Sequence, residues 1–161
     1  MSLATDQNGI SLRPACADDE AFLIEVYAST RADELALTGW DEAQCAAFVT
    51  MQFAAQQRHY REHYPNQEQQ VILERGVPIG RLWVGRLEDE IRILDITILP
   101  AYRGRNAGTE ILRRLMAEAA SAGKPLRIYV ESFNPSQRLF ERLGFAKSGQ
   151  SGYSDLLEWR P

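Results

Sequence analysis

The stretch 91–122 constrains the fold more than any other part of the chain. Residues 91–99, IRILDITIL, are apolar at most positions on both sides of an extended segment. That pattern predicts a strand covered on both faces, not one with a wet side. It runs through the turn PAYRGRNAG into residues 107–122, where Ile111, Leu112, Leu115, Met116 and Ala119 recur at helical spacing. Gly123 and Pro125 end that helix. A buried strand delivered through a glycine-containing turn into an amphipathic helix is the nucleus of a mixed α/β domain.

The rest of the chain supplies elements in quick order. Residues 9–15 alternate loosely and read as a strand. A helix follows over 17–30, with Phe22 paired to Val26 and Leu23 to Tyr27 at i, i+4. The acidic run Asp18 to Glu20 suits the positive end of that helix. Gly39 and Trp40 break the pattern. Asp41 then caps a second helix, with Gln44 in the capping-box position and Ala47, Met51 and Ala55 as the expected apolar stripe. The tripeptide YPN at 64–66 stops it. Strands are expected over 70–74, 79–87, 91–99 and 126–131. NPSQRLFERLGF reads as a short helix with Asn134 at the N-cap, Pro135 in the first helical position and Gly144 just past the end. GFAKSG and YSDLLEW close the chain as two strands. The resulting order is β-α-α-β-β-β-α-β-α-β-β.

With 161 residues, one domain over 9–161 is expected, preceded by a loose tail at 1–8. The formal net charge of −4 argues against general nucleic-acid binding, which needs a basic surface. No apolar run approaches the roughly 18–20 residues of a membrane span, and the N-terminus lacks the pattern of a secretory signal. Cys16 and Cys45 form neither a disulfide framework nor a C-x-x-C metal pair. A reducing cytoplasm is the expected location.

Against that acidic background, Arg103 and Arg105 flank Gly104 where the strand 91–99 turns into its helix. Such a turn presents free backbone N–H groups at the positive end of the helix dipole. Guanidinium groups add fixed charge shaped for phosphate oxygens, and Gly104 and Gly108 let a bulky ligand approach the main chain. A pyrophosphate is the natural guest; an ordinary surface turn with solvated arginines is the bland alternative. The segment lacks both G-x-x-x-x-G-K-[ST] and G-x-G-x-x-G, which excludes a P-loop and the dinucleotide fingerprint.

The strand LDITILP, the turn AYRGRNAG with its helix, the strand RIYVES and the segment NPSQRLFERLGF resemble, in that order and spacing, the GNAT family of acyl-CoA-dependent N-acyltransferases. The match is detailed over residues 91–147, and the preceding strand–helix–helix–strands order agrees with it. The resemblance implies a mostly antiparallel central sheet flanked by helices on both faces. It implies acetyl-CoA as acyl donor, a primary amine as acceptor, direct attack in a ternary complex and no metal. By position, Arg103 corresponds to the family's leading Arg/Gln of R/Q-x-x-G-x-G/A, and Gly108 to its last Gly. Asn106 stands where the middle Gly is usual; Asn tolerates the left-handed conformation better than most residues. On this reading Leu99, Arg103, Gly104, Arg105, Asn106, Ala107, Gly108 and Thr109 form the diphosphate cradle. The main chain of Ile98 holds the acyl carbonyl, and Asn134, with Ser136 and Phe140, contacts the pantetheine arm. Asn134 is equally explained as a helix cap.

Acyl transfer from a thioester to an amine requires loss of an ammonium proton, stabilisation of an oxyanion and departure of a thiolate. Deprotonating an alkylamine of pKa near ~10 at neutral pH costs on the order of 4 kcal/mol, and releasing a thiolate of pKa near ~8.5 about 2 kcal/mol. The base therefore matters more than the acid. Asp95, which interrupts an apolar strand, and Glu131, at a strand end, are the candidate carboxylates. A salt bridge from Asp95 to an arginine on a neighbouring strand is the structural alternative. The family's usual acid, a tyrosine before L-G-F, is replaced by Phe140, and Tyr129 or Tyr153 could substitute. Tyr27, Arg31, Trp40, Phe53 and Tyr153 are candidates to line the acceptor pocket, with Arg31 able to hold a carboxylate. The last two strands could pair between subunits as a homodimer.

Two rivals accompany this reading. HYREH at 59–63 fits H-x-x-E-H, so His59, Glu62 and His63 could form a zinc hydrolase site, although both histidines continue the stripe of Ala47, Met51 and Ala55. The second rival is an acyl-CoA-binding protein without turnover, motivated by Phe140 and Asn106.

Overall fold

In a computed structural model, residues 9–161 are described; the tail expected at 1–8 lies outside them. The elements are β1 (Ile10–Pro14), α1 (Glu20–Ala36), α2 (Glu42–His63), β2 (Gln67–Glu74), β3 (Val77–Arg86), β4 (Ile91–Ile98), α3 (Ala107–Ala122), β5 (Leu126–Glu131), α4 (Gln137–Arg142), β6 (Ala146–Ser151) and β7 (Ser154–Trp159). This is the order expected from the sequence. The strands form one sheet in the order β1-β2-β3-β4-β5-β7-β6. Every neighbouring pair is antiparallel except β4 and β5, which are parallel.

One core packs α3 and α4 on one face of the sheet. Ile111, Leu112, Leu115 and Ala119 of α3 meet Ile91, Ile93, Ile128 and Val130, and Phe140 of α4 joins them. Each of the large side chains contributes about 1.5–3 kcal/mol by leaving water. Gly123, in the left-handed conformation at φ 66°, ends α3, and the Lys124 N–H closes back on the Ala119 carbonyl at 3.0 Å. A second cluster, Leu23, Tyr27, Val49 and Phe53, joins α1 to α2.

The stripe expected for α2 is corrected. Ala47, Met51 and Ala55 face outward, with Met51 62% exposed, and Val49 and Phe53 are buried instead. The inward face continues as Gln56, Gln57 and Tyr60, so polar side chains cover the sheet where the sequence pattern sought alanines. The capping box of Asp41 and Gln44 forms as expected, with N–H to side-chain contacts of 2.8 and 3.0 Å. The start of α4 also moves. Ser136 is its N-cap, and Asn134 instead opens a preceding turn, accepting from the Gln137 N–H at 3.1 Å. Three-residue hydrogen bonds wind that turn before the α-helix begins.

Asp19 locks the start of α1 to β1. Its carboxylate takes two N–H groups of Arg13 at 2.8 Å each and the Cys16 N–H at 2.9 Å. The Arg13 hydrogen bonds, with the Cys16 N–H, hold its carboxyl far below the usual range. A depressed carboxyl stabilises the fold above its ordinary pKa, and that stability is lost as pH falls toward the folded value. Arg13 is 34% exposed, so solvent screens part of the effect. Asp19→Asn should lower the unfolding free energy at pH 7 by about 1–2 kcal/mol. The gap from the parent should shrink below about pH 4. Denaturant midpoints measured at both pH values check this, and identical midpoints at pH 7 would contradict it.

Candidate active site

The site originates in how β4 leaves the sheet. β4 pairs with β5 only at Ile91 with Leu126, Arg92 with Arg127 and Ile93 with Ile128. Beyond that point β4 stays bonded to β3 and β5 to β7, and the two parallel strands part. The opening is bordered by residues 94–98 of β4 and by Tyr129 to Glu131 of β5.

A bulge decides what β4 shows to this opening. Trp83 pairs with Asp95 but Val84 pairs with Ile93, so Leu94 is the extra residue. Without it, Ile93 and Asp95 would share a face; with it, they fall on opposite faces. Ile93 joins the core under α3, and Asp95 turns to the face covered by α2. The bulged carbonyl does not go unpaired: the Tyr60 hydroxyl of α2 donates to the Leu94 oxygen at 3.3 Å. Burial, with Asp95 nearby, pushes the Tyr60 phenol up. The same bulge sets the main chain. The Leu99 N–H donates to the Ile79 carbonyl at 2.8 Å. Alternation along an antiparallel ladder then aims the Ile96 and Ile98 N–H groups away from β3, toward the opening. Gly80 lies opposite Ile98, and a Cβ there would sit 2.2 Å from the Thr97 carbonyl oxygen.

Asp95 is paired as its structural alternative anticipates. Arg81 Nε and Nη2 lie 2.8 and 2.7 Å from Oδ2, and the Thr97 hydroxyl lies 3.0 Å from Oδ1. Glu131 is exposed at the end of β5. Next to it, Asp155 is buried and gathers Gln137 Nε2 and Ser132 Oγ at 3.0 Å each, with Lys147 at 3.4 Å. Those contacts, Gln137 first, hold the Asp155 carboxyl below the usual range. They also fix the turn from β5 into α4.

At the far end of β4, Pro100–Tyr102 make one turn of 3-10 helix. Gly104 at φ 79° and Asn106 at φ 66° both take the left-handed conformation, the one that asparagine tolerates better than most residues. Glu110 is the first residue of α3 to bond back, to the Asn106 carbonyl at 3.0 Å. The N–H groups of Ala107, Gly108 and Thr109 thus have no partner within the helix. A Cβ at Gly104 or Gly108 would meet nothing within 4 Å, so the cradle is open. Arg103 Nε donates to the Ile98 carbonyl at 2.9 Å, and Arg105 reaches Glu74 at 3.1 Å while stacking on Tyr102. Open amides, a left-handed turn and two guanidiniums fit a diphosphate.

The other candidates are spread out. Asn134 Oδ1 accepts from the Ser136 N–H at 2.9 Å, and Phe140 is 3% exposed with its ring edge-on to Phe145 in the core. Tyr27 and Phe53 are buried between α1 and α2; the Tyr27 hydroxyl donates to Gln52 at 3.0 Å and accepts from Arg31 at 3.2 Å. Trp40 packs on Phe48 at the α1–α2 connection, and Tyr153 is 87% exposed between β6 and β7. His59, Glu62 and His63 lie on the exposed side of α2. Among the described residues no group of three His, Cys, Asp or Glu side chains is arranged to hold a metal ion. Nor is any helix among them long and apolar enough to cross a membrane.

Sequence reasoning missed Arg81, Gln56, Tyr60, Thr97 and Gly80. One signal was available: Arg81 interrupts the apolar run 79–84 as Asp95 interrupts 91–99, and two such charges in successive strands can meet.

Solved structures of known proteins share this fold. Among solved structures, the chain resembles PaiA N-acetyltransferase from Thermoplasma acidophilum in complex with coenzyme A, at 16% identity and a TM-score of 0.72 over 94% of this chain and 99% of that one. It also resembles an acetyltransferase from Thermus thermophilus, at 19% identity and 0.67 over the whole of both chains. RimL, a ribosomal L7/L12 alpha-N-protein acetyltransferase in complex with coenzyme A, matches at 14% identity and 0.65 over 98% and 97%. At these identities the likeness establishes the fold. By sequence, no curated protein is significantly similar to the chain. The model of the acetyltransferase (GNAT) family, however, matches residues 24–145, which takes in most of α1, all of α2, the strand opening and the loop before α3. The chain belongs to the GNAT acetyltransferase family.

Proposed function

We propose that the protein moves an acetyl group from acetyl-CoA to a primary amine of a small molecule, amino acid or peptide, by direct attack in a ternary complex in the cytoplasm. The observation that carries this reading is the opening between β4 and β5, with an outward N–H at Ile98 on its border and an open amide cradle at its end. In it, the loop from Arg103 to Thr109 receives the diphosphate of the donor, and the Ile98 N–H receives the thioester oxygen. A positioned N–H of this kind contributes about 3–4 kcal/mol when it is aimed at the charge that develops in the transition state. The donor supplies the activated acyl group, with a sulfur leaving group that departs as thiolate.

The acceptor arrives over the face that carries Asp95 and Thr97, opposite the face packed by α3. Oδ1 of Asp95 meets the ammonium and takes its proton, which leaves the nitrogen lone pair free to attack. Glu131, on the other border of the opening, is the second carboxylate able to pass that proton to solvent. Phe140 supplies no hydroxyl, and the thiolate departs unprotonated at a cost of about 2 kcal/mol. The buried Phe140 ring is also the observation that favours the second reading, an acyl-CoA-binding protein without turnover.

Titration calorimetry with acetyl-CoA, paired with a thiol-release assay over primary amines, separates the two. Transfer predicts binding with amine-dependent thiol release; binding with none on any amine favours the sensor, and no binding rejects both. In the same titration Arg103→Ala should weaken binding about tenfold, the loss of one charge-assisted contact. Asn106→Gly should leave the dissociation constant within about threefold, because glycine adopts the same left-handed turn. An unchanged constant for Arg103→Ala, or a large loss for Asn106→Gly, contradicts the cradle.

A further inference from the structure

Arg81 is 1% exposed, and a guanidinium cannot shed its charge when buried. Its environment is asymmetric. Nε and Nη2 both reach one oxygen of Asp95, Oδ2, at 2.8 and 2.7 Å. The usual bidentate fork gives one N–H to each carboxylate oxygen. The Thr97 hydroxyl is shared between the two oxygens at 3.0 and 3.1 Å. Oδ2 is thus saturated, and Oδ1 carries only that shared contact, on a side chain that remains 22% exposed.

The guanidinium is itself held from α2. Nη2 donates to Gln56 Oε1 at 3.1 Å, and the Trp83 ring lies 5.4 Å from Cζ. Tyr60 packs edge-on against that ring at 4.9 Å while its hydroxyl secures the bulge beside Asp95. A symmetric fork would occupy both carboxylate oxygens. A carboxylate without the arginine would be free to rotate between rotamers.

We infer that Arg81 is a positioning residue for the acceptor. By placing Nε and Nη2 together against Oδ2 it fixes the Asp95 rotamer and keeps Oδ1 available to the incoming ammonium. This rests on the reading of Asp95 as the carboxylate that takes the acceptor's proton. In that step one N–H bond of the ammonium breaks, one O–H bond to Oδ1 forms, and the electron pair stays on nitrogen. Gln56 acts at one remove, by keeping the guanidinium seated.

The test measures initial rates with the fastest acceptor from a panel of glycine, L-lysine, 1,4-diaminobutane and a tetrapeptide, alongside acetyl-CoA affinity by calorimetry and thermal melting. Arg81→Met should lower kcat at least a hundredfold. Arg81→Lys, which keeps the charge but not the fork, should recover part of that loss and remain about tenfold below the parent. Gln56→Met, which removes only the outer contact, should lower kcat three- to tenfold without lowering the melting temperature by more than a few degrees. In every folded variant the acetyl-CoA dissociation constant should stay within twofold, a split that general loosening of the fold would not give. Should Arg81→Met not fold, the Lys and Gln56 variants carry the test. Parent-like kcat in Arg81→Lys and Gln56→Met, or loss of acetyl-CoA affinity in parallel with kcat, overturns the inference. Asp95→Asn tells the two levels apart. If it turns over like the parent, the reading of Asp95 fails and takes the inference with it; if it is inactive while the Arg81 and Gln56 variants are not, only the inference fails.

Discussion

Gly80→Val is expected to lower the denaturant midpoint sharply and to reduce turnover at least tenfold. The reason is local. A Cβ at Gly80 would sit 2.2 Å from the Thr97 carbonyl oxygen and 3.1 Å from the Ile98 Cα. Both are main-chain atoms of the neighbouring strand, so no side chain can swing aside. The two strands must part beside Ile98, which shifts the main chain that carries its N–H, and overpacking of this kind costs about 1–3 kcal/mol even for one added methyl, with valine at the upper end or beyond. Gly80→Ala should show the same two effects in smaller measure. Chemical denaturation and initial rates check both variants. A parent-like midpoint for Gly80→Val would mean that β3 and β4 are not held so close.

The second large effect is expected at Asp95. Asp95→Ala leaves the Arg81 guanidinium buried with its principal partner gone, and breaking a buried pair from one side typically costs 3–5 kcal/mol. That exceeds the net worth of the pair, because the penalty is chiefly an uncompensated charge. Removing both members should therefore be milder: Arg81→Met with Asp95→Ala should be more stable than Asp95→Ala alone, though inactive. A double-mutant cycle by denaturant unfolding measures this. If the single and double variants unfold together, the pair does not carry the burial argument.

Much of the fold could be read directly from residue patterns, for physical reasons that also explain where reading stopped. α3 was legible because one apolar face and a left-handed glycine at its end are both written locally. The parted strands and the bulge were not, since nothing in IRILDITIL says which residue will lack a partner. That is set by β3 and by a tyrosine hydroxyl from α2, 34 residues earlier in the chain. Helix α2 misled because its inward face is largely polar. Gln56 and Tyr60 pack on buried Arg81 and Trp83, and a search for apolar periodicity settles instead on exposed alanines. The loop at 103–108 was legible as an anion cradle because glycine, asparagine and arginine each have a conformational or electrostatic reason to be there. Asp95 was legible as an anomaly, but its partner was not, because register fixes which strand neighbour it meets.

Every role proposed for the site residues requires the donor to lie in the opening between β4 and β5. A crystal structure with acetyl-CoA bound tests it most directly. The diphosphate is expected on the main-chain N–H groups between Gly104 and Thr109, and the thioester oxygen about 3 Å from the Ile98 nitrogen. Coenzyme A bound on another surface, or in the cradle with its thioester directed away from β4, would contradict it.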